Sequence, residues 1–557
     1  MRKNSILIIV IVAGIILSIQ TCGSQKEKNT SPVTKEDLAH AENVTGLQFT
    51  DQERDTMLPD VQSLKENYIA LREHRLANAT RPALVFNPLP YGFSVPKKSG
   101  EPQWDLAGEV ALPDDNAAIA FLPVHKLAVL IQSGKITSEK LTRIYLERLK
   151  KYGDTLQCVV SITEERALQQ ARRADRQIAA GNYRGPLHGI PYGVKDLLSA
   201  EGYKTTWGAA PYKEQQFENT ATVVKRLDSA GAVLVAKLTL GALAMGDVWY
   251  DGVTKNPWNL KQGSSGSSAG PASATAAGLV PFAIGSETYG SIVSPSTRCG
   301  VSGLRPTFGR VSRHGAMALS WSMDKIGPLS RSAKDNAIIL EAIGGKDPND
   351  PTTLDAAFQP DFSRDVKSLK VAYLQPFFEQ DYRSKTNDSI MLKKIRALGI
   401  TPQAVTFPEG MPVESMLIIL DAEAAAAFDE LTRSNDDDLM AAQHRYAWPN
   451  IFRYSRFIPA VEYIQANRLR TQLIEQIHEF MSAYDVVITP SYGGNQLLAT
   501  NLTGHPCAVI PNGFDEKGHP TSISFLGNLY DEARLVEFTH FIQENTKWDN
   551  MHPPTFR

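Results

Sequence analysis

The sequence predicts an α/β fold in which a mixed sheet is layered with helices. Two observations lead there. From Phe121 onward, windows with apolar residues at helical spacing alternate with short, unbroken apolar runs of strand length. That alternation is the pattern of helices packed on a sheet. The chain is also 557 residues long and 42% hydrophobic, enough for a large core and, on length alone, two to four domains. No internal repeat is apparent.

The first residues read as a targeting segment. Arg2 and Lys3 precede an apolar run over 6–19, too short for a comfortable membrane span and right for a signal-peptide core. Cys22 follows, then a polar stretch. The pattern of 1–22 resembles a bacterial lipoprotein signal, with Cys22 as the lipidated first residue of the mature chain, although Ile19, Gln20 and Thr21 depart from the usual small residues. The resemblance implies an exported protein of the bacterial cell envelope, tethered to a membrane on its periplasmic side.

Residues 23–120 are expected to form a tether and an extension. Residues 23–50 are polar. Over 60–76, Val61, Leu64, Tyr68 and Leu71 recur at helical spacing behind Asp60, a candidate N-cap. Residues 79–113 are rich in Pro and Gly and read as an extended wrap. In the body, 121–557, Val124, Leu127, Ala128 and Ile131 make a helical face that Gly134 ends. Ser138 caps a helix with Leu141, Ile144, Tyr145 and Leu149 inward. Residues 164–180 form another helix, and a further one starts near Asn219 and leads into a strand over 232–236. Later strands are expected at 369–374, 486–489, 508–510 and 523–525. Residues 376–480 read as a mostly helical subregion near the substrate entrance. Residues 344–350 lack both the EF-hand spacing and the second half of a P-loop, so they read as a surface loop.

Residues 263–306 stand apart. They are crowded with Gly, Ser and Thr, and an apolar segment separates two serine-bearing turns. Small residues allow close backbone approach, and hydroxyls in such turns are either nucleophiles or local hydrogen-bond makers. Three pieces within it, Gly266-Ser267-Ser268, Gly285-Ser286-Glu287-Thr288-Tyr289-Gly290-Ser291 and Cys299-Gly300 with Gly303-Leu304-Arg305-Pro306, resemble the signature of the amidase signature family of serine hydrolases. The upstream piece His188-Gly189-Ile190-Pro191-Tyr192-Gly193-Val194-Lys195-Asp196 belongs to the same resemblance, which runs from about Phe121 to the C-terminus.

The resemblance implies one catalytic domain, a twisted mixed sheet covered by helices on both faces. It also implies hydrolysis of a carboxamide C–N bond through a Ser–cis-Ser–Lys triad and an acyl-enzyme. Lys195 would be the base, Ser267 the relay behind a cis peptide bond, and Ser291 the nucleophile. Backbone N–H groups of Thr288, Tyr289, Gly290 and Ser291 would form the oxyanion site, each worth about 3 kcal/mol in the transition state. Three residues depart from the commoner pattern: Tyr289 replaces a glycine, Glu287 an aspartate and Val293 an arginine. They bear on substrate class rather than on the reaction.

Lys195 reads as part of a glycine- and proline-punctuated turn after Gly189-Ile190-Pro191, and without the resemblance it fits a surface ion pair as well as a base. A lysine base must lose its proton, and an ordinary lysine at pH 7 is neutral only about one time in two thousand. Apolar neighbours such as Ile190, Val194, Leu197 and Leu198 permit the burial that would change this. Ser268 sits in a G-x-S-x-G pattern, but the preceding residues are polar and broken by Pro257, unlike the core strand an elbow serine needs. It therefore reads as hydrogen-bond support for Ser267. Cys299 reads as structural. His188 and Asp196 flank the Lys195 segment and are expected to hydrogen-bond its backbone. Trp207, Met245, Tyr250 and Trp321 are candidates for lining an apolar pocket.

The four cysteines form no CxxC or Cys/His cluster, and His188, His314 and His505 form no HExxH, so no metal or organic cofactor is expected. A formal charge of −2 gives no basic excess for nucleic acid. The expected partners are a small-molecule or peptide amide and the membrane, with a homodimer allowed. Two alternatives stay open: the glutaminase subunit of a tRNA-dependent amidotransferase, and a catalytically inactive amidase-like lipoprotein that binds an amide or peptide.

Overall fold

The computed structural model describes residues 31–557, apart from 98, 99, 101, 103, 105 and 107. Residues 1–22 and the lipidation site Cys22 lie outside the described residues. Among the described residues no helix is long and apolar enough to cross a membrane.

Two helices precede the body. α1 is Lys35–Thr45 and α2 is Asp51–Arg72, so part of the expected tether is helical. Each starts with a capping box, Thr34 with Asp37 and Thr50 with Glu53, which satisfies the free N–H groups of the first turn. Asp60 is therefore inside α2, not its cap. The face carrying Leu64, Tyr68 and Leu71 is largely exposed. Part of the expected wrap lies on the body: the Phe86 ring packs edge-on against Phe308 at 5.0 Å, and Phe93 packs on His478.

The body is built on one sheet of eleven strands. In chain order they are β1 (Val159–Ile162), β2 (Pro191–Lys195), β3 (Val233–Leu238), β4 (Phe282–Glu287), β5 (Ser302–Arg305), β6 (Lys325–Ser330), β7 (Val371–Leu374), β8 (Gln403–Val405), β9 (Val486–Pro490), β10 (Cys507–Phe514) and β11 (Pro520–Gly527). Their spatial order is β1-β3-β2-β4-β6-β5-β10-β11-β9-β7-β8. β3, β2 and β4 run parallel, as do β9, β7 and β8, while the centre from β4 to β9 is antiparallel.

Both faces of the sheet are covered, because every residue of β2, β3, β4, β6, β9 and β11 is buried. The alternation along a strand assigns the faces. Phe282 and Ile284 join one apolar core, and Ala283 between them joins another. Helices α3 (Ser138–Leu156) and α4 (Glu164–Ala179) supply Leu146, Leu149, Ala167 and Ala171 to the second core. The expected helices over 124–132 and 164–179 and the strands near 232, 369, 486, 508 and 523 are all present. Residues 376–480 are mostly helical, interrupted by β8.

The loop 344–350 is stitched to the body rather than free. Asp347 is buried and accepts from Thr222 Oγ1 at 2.6 Å and Ser312 Oγ at 2.5 Å, and Asp350 accepts from the Arg313 N–H at 2.8 Å.

Candidate active site

Lys195 is the last residue of β2, not part of a turn. Tyr192 and Val194 face the first core, so Lys195 points to the other side of the sheet. It is fully buried, and its Nζ lies among hydroxyls: 2.8 Å from Ser267 Oγ, 2.9 Å from Ser286 Oγ and 3.1 Å from Ser268 Oγ. The Ser286 carbonyl is 3.4 Å away. Burial holds the amine well below the usual lysine range, against the opposing pull of the Asp324 and Glu287 carboxylates.

Ser267 and Ser268 stand between a short hairpin strand, Asn259–Gly263, and helix α5 (Ala269–Ala276). The bond from Gly266 to Ser267 is cis. Gly266 is required here, since a Cβ would lie 1.8 Å from the Gly246 carbonyl oxygen. Gly285 has the same role on β4, where a Cβ would stand 2.7 Å from Ser268 Oγ. Ser268 accepts from the Ser286 N–H at 3.1 Å and donates to the Ser286 carbonyl at 3.0 Å. It locks the serine loop onto β4, and the hairpin strand before it lies outside the main sheet.

The second serine turn runs from β4 into helix α6 (Val293–Cys299). Glu287 shapes it. One carboxylate oxygen accepts from the N–H groups of Ile292 at 2.8 Å and Val293 at 3.0 Å. The other meets Arg305 at 2.8 Å and Asn501 at 2.9 Å. Burial alone would push the Glu287 carboxyl up; Arg305 and these donors outweigh it and hold it at about 2. Arg305 is itself buried and also donates to Thr500 Oγ1 and the His505 carbonyl.

With the turn so pinned, Ser291 is 8% exposed and its carbonyl accepts from the Ser268 N–H at 3.2 Å. Among the described residues, the backbone N–H groups of Thr288, Tyr289, Gly290 and Ser291 donate to no protein acceptor. The Tyr289 side chain points outward, 44% exposed, so it does not block them. Thr288 Oγ1 donates to Asp324 at 2.6 Å. The assembly therefore brings together a buried amine, a cluster of hydroxyls and a row of unspent N–H donors.

Ser286 went unassigned in the sequence, although it lies in the same hydroxyl-rich motif as Ser291. His188 and Asp196 do not support the backbone of Lys195. His188 accepts from the Arg184 N–H and faces Gln177, while Asp196 pairs with Lys237 at 2.8 Å and accepts from Thr206. The Cys299 thiol is buried and pushed upward by that burial, so it is inert. A cavity of about 100 Å³ opens onto Ser286, Thr288 and Asp324, and Trp321 lines it. Trp207 lines a neighbouring cavity of about 690 Å³.

Comparison with known proteins matches the chain to a family. The family model described as Amidase matches residues 140–497. A glutamyl-tRNA(Gln) amidotransferase subunit from Nitrosomonas europaea is 31% identical over 478 residues, covering 77% of this chain and 98% of the relative. Among solved structures, native peptide amidase from Stenotrophomonas maltophilia is similar with a TM-score of 0.69 at 27% identity, covering 76% of this chain and 97% of that one. An amidase family protein from Bacillus anthracis gives 0.69 at 25% identity, covering 80% and 95%.

Proposed function

We infer, from the premise that the chain belongs to the amidase family, that it hydrolyses a carboxamide C–N bond with Ser291 as nucleophile and Lys195 with Ser267 as the proton relay. One observation carries the reading: the buried amine of Lys195 has a hydroxyl 2.8 Å away and, among the described residues, no carboxylate in contact, the environment that favours a neutral lysine base.

In this reading neutral Lys195 takes the proton of Ser267, and Ser267 takes that of Ser291 as Ser291 Oγ attacks the carbonyl carbon. The oxyanion sits on the N–H groups of 288–291. As the C–N bond breaks, the proton returns through the relay to the departing nitrogen, leaving an ester on Ser291. Water then attacks the ester, gives its proton to the relay, and releases the acid as Ser291 regains its proton. Lys195 ends each half neutral. The enzyme works on the periplasmic side of the envelope in this reading, held there by a lipid on Cys22; the signal-like pattern of residues 1–22 supports that location.

A second reading rests on the 31% identity to the Nitrosomonas europaea amidotransferase component: a glutaminase subunit that passes ammonia to a partner. Both readings share cleavage of an amide C–N bond. They part on substrate and partner, and a periplasmic location would separate the chain from cytosolic charged tRNA.

The test is labelling of the full chain with a fluorophosphonate and mapping of the adduct by mass spectrometry. An adduct on Ser291 is expected. An adduct on Ser268 overturns the relay in favour of an elbow-type serine, and no adduct favours the binding-protein alternative. Ammonia release from glutamine together with co-purification of a tRNA-binding partner would favour the second reading.

A further inference from the structure

The segment just after α2, outside the residues matched by the family model, crosses the site. Asn78 holds it there: its side chain donates to the Ala318 carbonyl at 2.8 Å and accepts from the Ala318 N–H at 2.7 Å. Arg81 adds a bond to the Asn349 carbonyl at 3.2 Å. This strap lies over three cavities in chain order. The end of α2 and residues 74–79 wall the first, of about 690 Å³; Ala79 and Arg81 wall the second, of about 100 Å³; and 81, 82 and 84–87 wall the third, of about 680 Å³. The first and second share His314, Gly315, Ala316 and Met317, and the second and third share Arg81, Arg313 and Trp321.

The order matters because the small middle cavity is the one that opens onto Ser286, Thr288 and Asp324. Two large cavities, or arms, thus adjoin the middle one, which borders Ser286, a hydrogen-bond partner of Lys195, and Thr288, at the start of the turn that carries Ser291. Each arm alone is in the range of about 300–1,000 Å³ that holds a drug-sized ligand. Both have apolar walls, Trp207, Phe217, Phe428 and Leu431 in one, Phe86, Val85, Ile464 and Ile474 in the other.

Resting on the amidase reading above, we propose that the substrate is a secondary amide with a bulky, mainly apolar group on each side of the scissile bond, and that the strap is a specificity element built for it. Hydrolysis then consumes one water and releases a carboxylic acid from one arm and a primary amine from the other. A primary amide such as a glutamine side chain would occupy one arm at most.

The test uses four probes on the full chain: acetamide, octanamide, N-hexylacetamide and N-hexyloctanamide, read as kcat/KM. Each arm is expected to raise kcat/KM by at least about tenfold, since every methylene removed from water contributes several-fold. Asn78→Ala should shrink the ratio between the two-armed and unarmed probes. Equal or better turnover of octanamide than of N-hexyloctanamide overturns the proposal, as does a ratio that Asn78→Ala leaves intact. If Ser291 takes the fluorophosphonate but no probe turns over, the two-armed substrate is wrong while the nucleophile stands. If Ser291 takes no label, the hydrolase reading itself falls.

Discussion

Lys195 and Lys237 stand on the neighbouring parallel strands β2 and β3, both fully buried, and point to opposite faces because Lys237 pairs with Val194. Their surroundings differ in kind. Lys237 meets the Asp196 carboxylate at 2.8 Å and also donates to the Lys204 carbonyl and Thr205 Oγ1. Burial pushes Lys237 down, and Asp196 pulls it back toward the charged form. Lys195 meets hydroxyls and a carbonyl, while its carboxylates act only from a distance. A buried amine can be kept by pairing or by giving up its proton; Lys237 on β3 is paired, and burial pushes Lys195 on β2 toward the neutral form. Low basicity alone does not mark a base. Lys325 is also buried and held well below the usual range, yet among the described residues its amine donates only to the Met323 carbonyl. What sets Lys195 apart is the three serine hydroxyls within 3.1 Å of its amine, on which the proposed relay rests.

The comparison breaks if the two lysines respond alike to the same substitution. Lys195→Met should lower kcat/KM by about a thousandfold, the scale of a lost general base, in a steady-state assay with an amide substrate. It leaves no buried charge behind, so urea unfolding should show a loss of only about 1–2 kcal/mol. Lys237→Met should do the reverse. It leaves Asp196 buried without its ion pair, at a cost of about 3–5 kcal/mol, with the catalytic cluster intact.

Glu287 extends the contrast to acids. Glu287→Gln strips Arg305 of its partner and loosens the turn that carries Ser291, and should also cost about 3–5 kcal/mol at neutral pH. A carboxyl depressed from 4.5 to about 2 contributes stability above pH 4.5 that is lost as the pH falls through about 2. The gap between wild type and variant in denaturant midpoint should therefore close over that window.

Smaller effects sharpen the picture. Ser268→Ala removes the tie between the serine loop and β4 and should cost about 1–3 kcal/mol in unfolding, yet a fluorophosphonate adduct should still form on Ser291. Asp324→Asn removes a carboxylate that favours protonated Lys195. The acid limb of the pH–rate profile should move to lower pH, by less than about one pH unit.

The motifs that carry Lys195, Ser267 and Ser291 were legible because each is contiguous in sequence, and the structure sets the Lys195 amine 2.8 Å from Ser267 Oγ. The helices and strands of the body were legible wherever one period dominated, as in 124–131 or 486–489. β2 was missed because Pro191 and Gly193 read as a turn, and its tertiary neighbours override that local signal. The start of α2 lies at the Thr50–Glu53 capping box, ahead of Asp60, because the apolar spacing that marks the helix in the sequence begins only after its first turns. The anchoring of the strap was hidden because it joins Asn78 to Ala318, a contact far apart in the chain. The partners of His188 and Asp196 were hidden likewise, since adjacency to Lys195 in sequence placed them on other faces in space.

The central claim is that Lys195 works as a neutral amine, and the pH dependence of fluorophosphonate labelling at Ser291 tests it most directly. Wild type and Lys237→Met should label with a rate that rises through a midpoint far below the 10.5 of an ordinary lysine, and Lys195→Met should not label. A midpoint near 10.5, or labelling of Lys195→Met at the wild-type rate, would contradict the account.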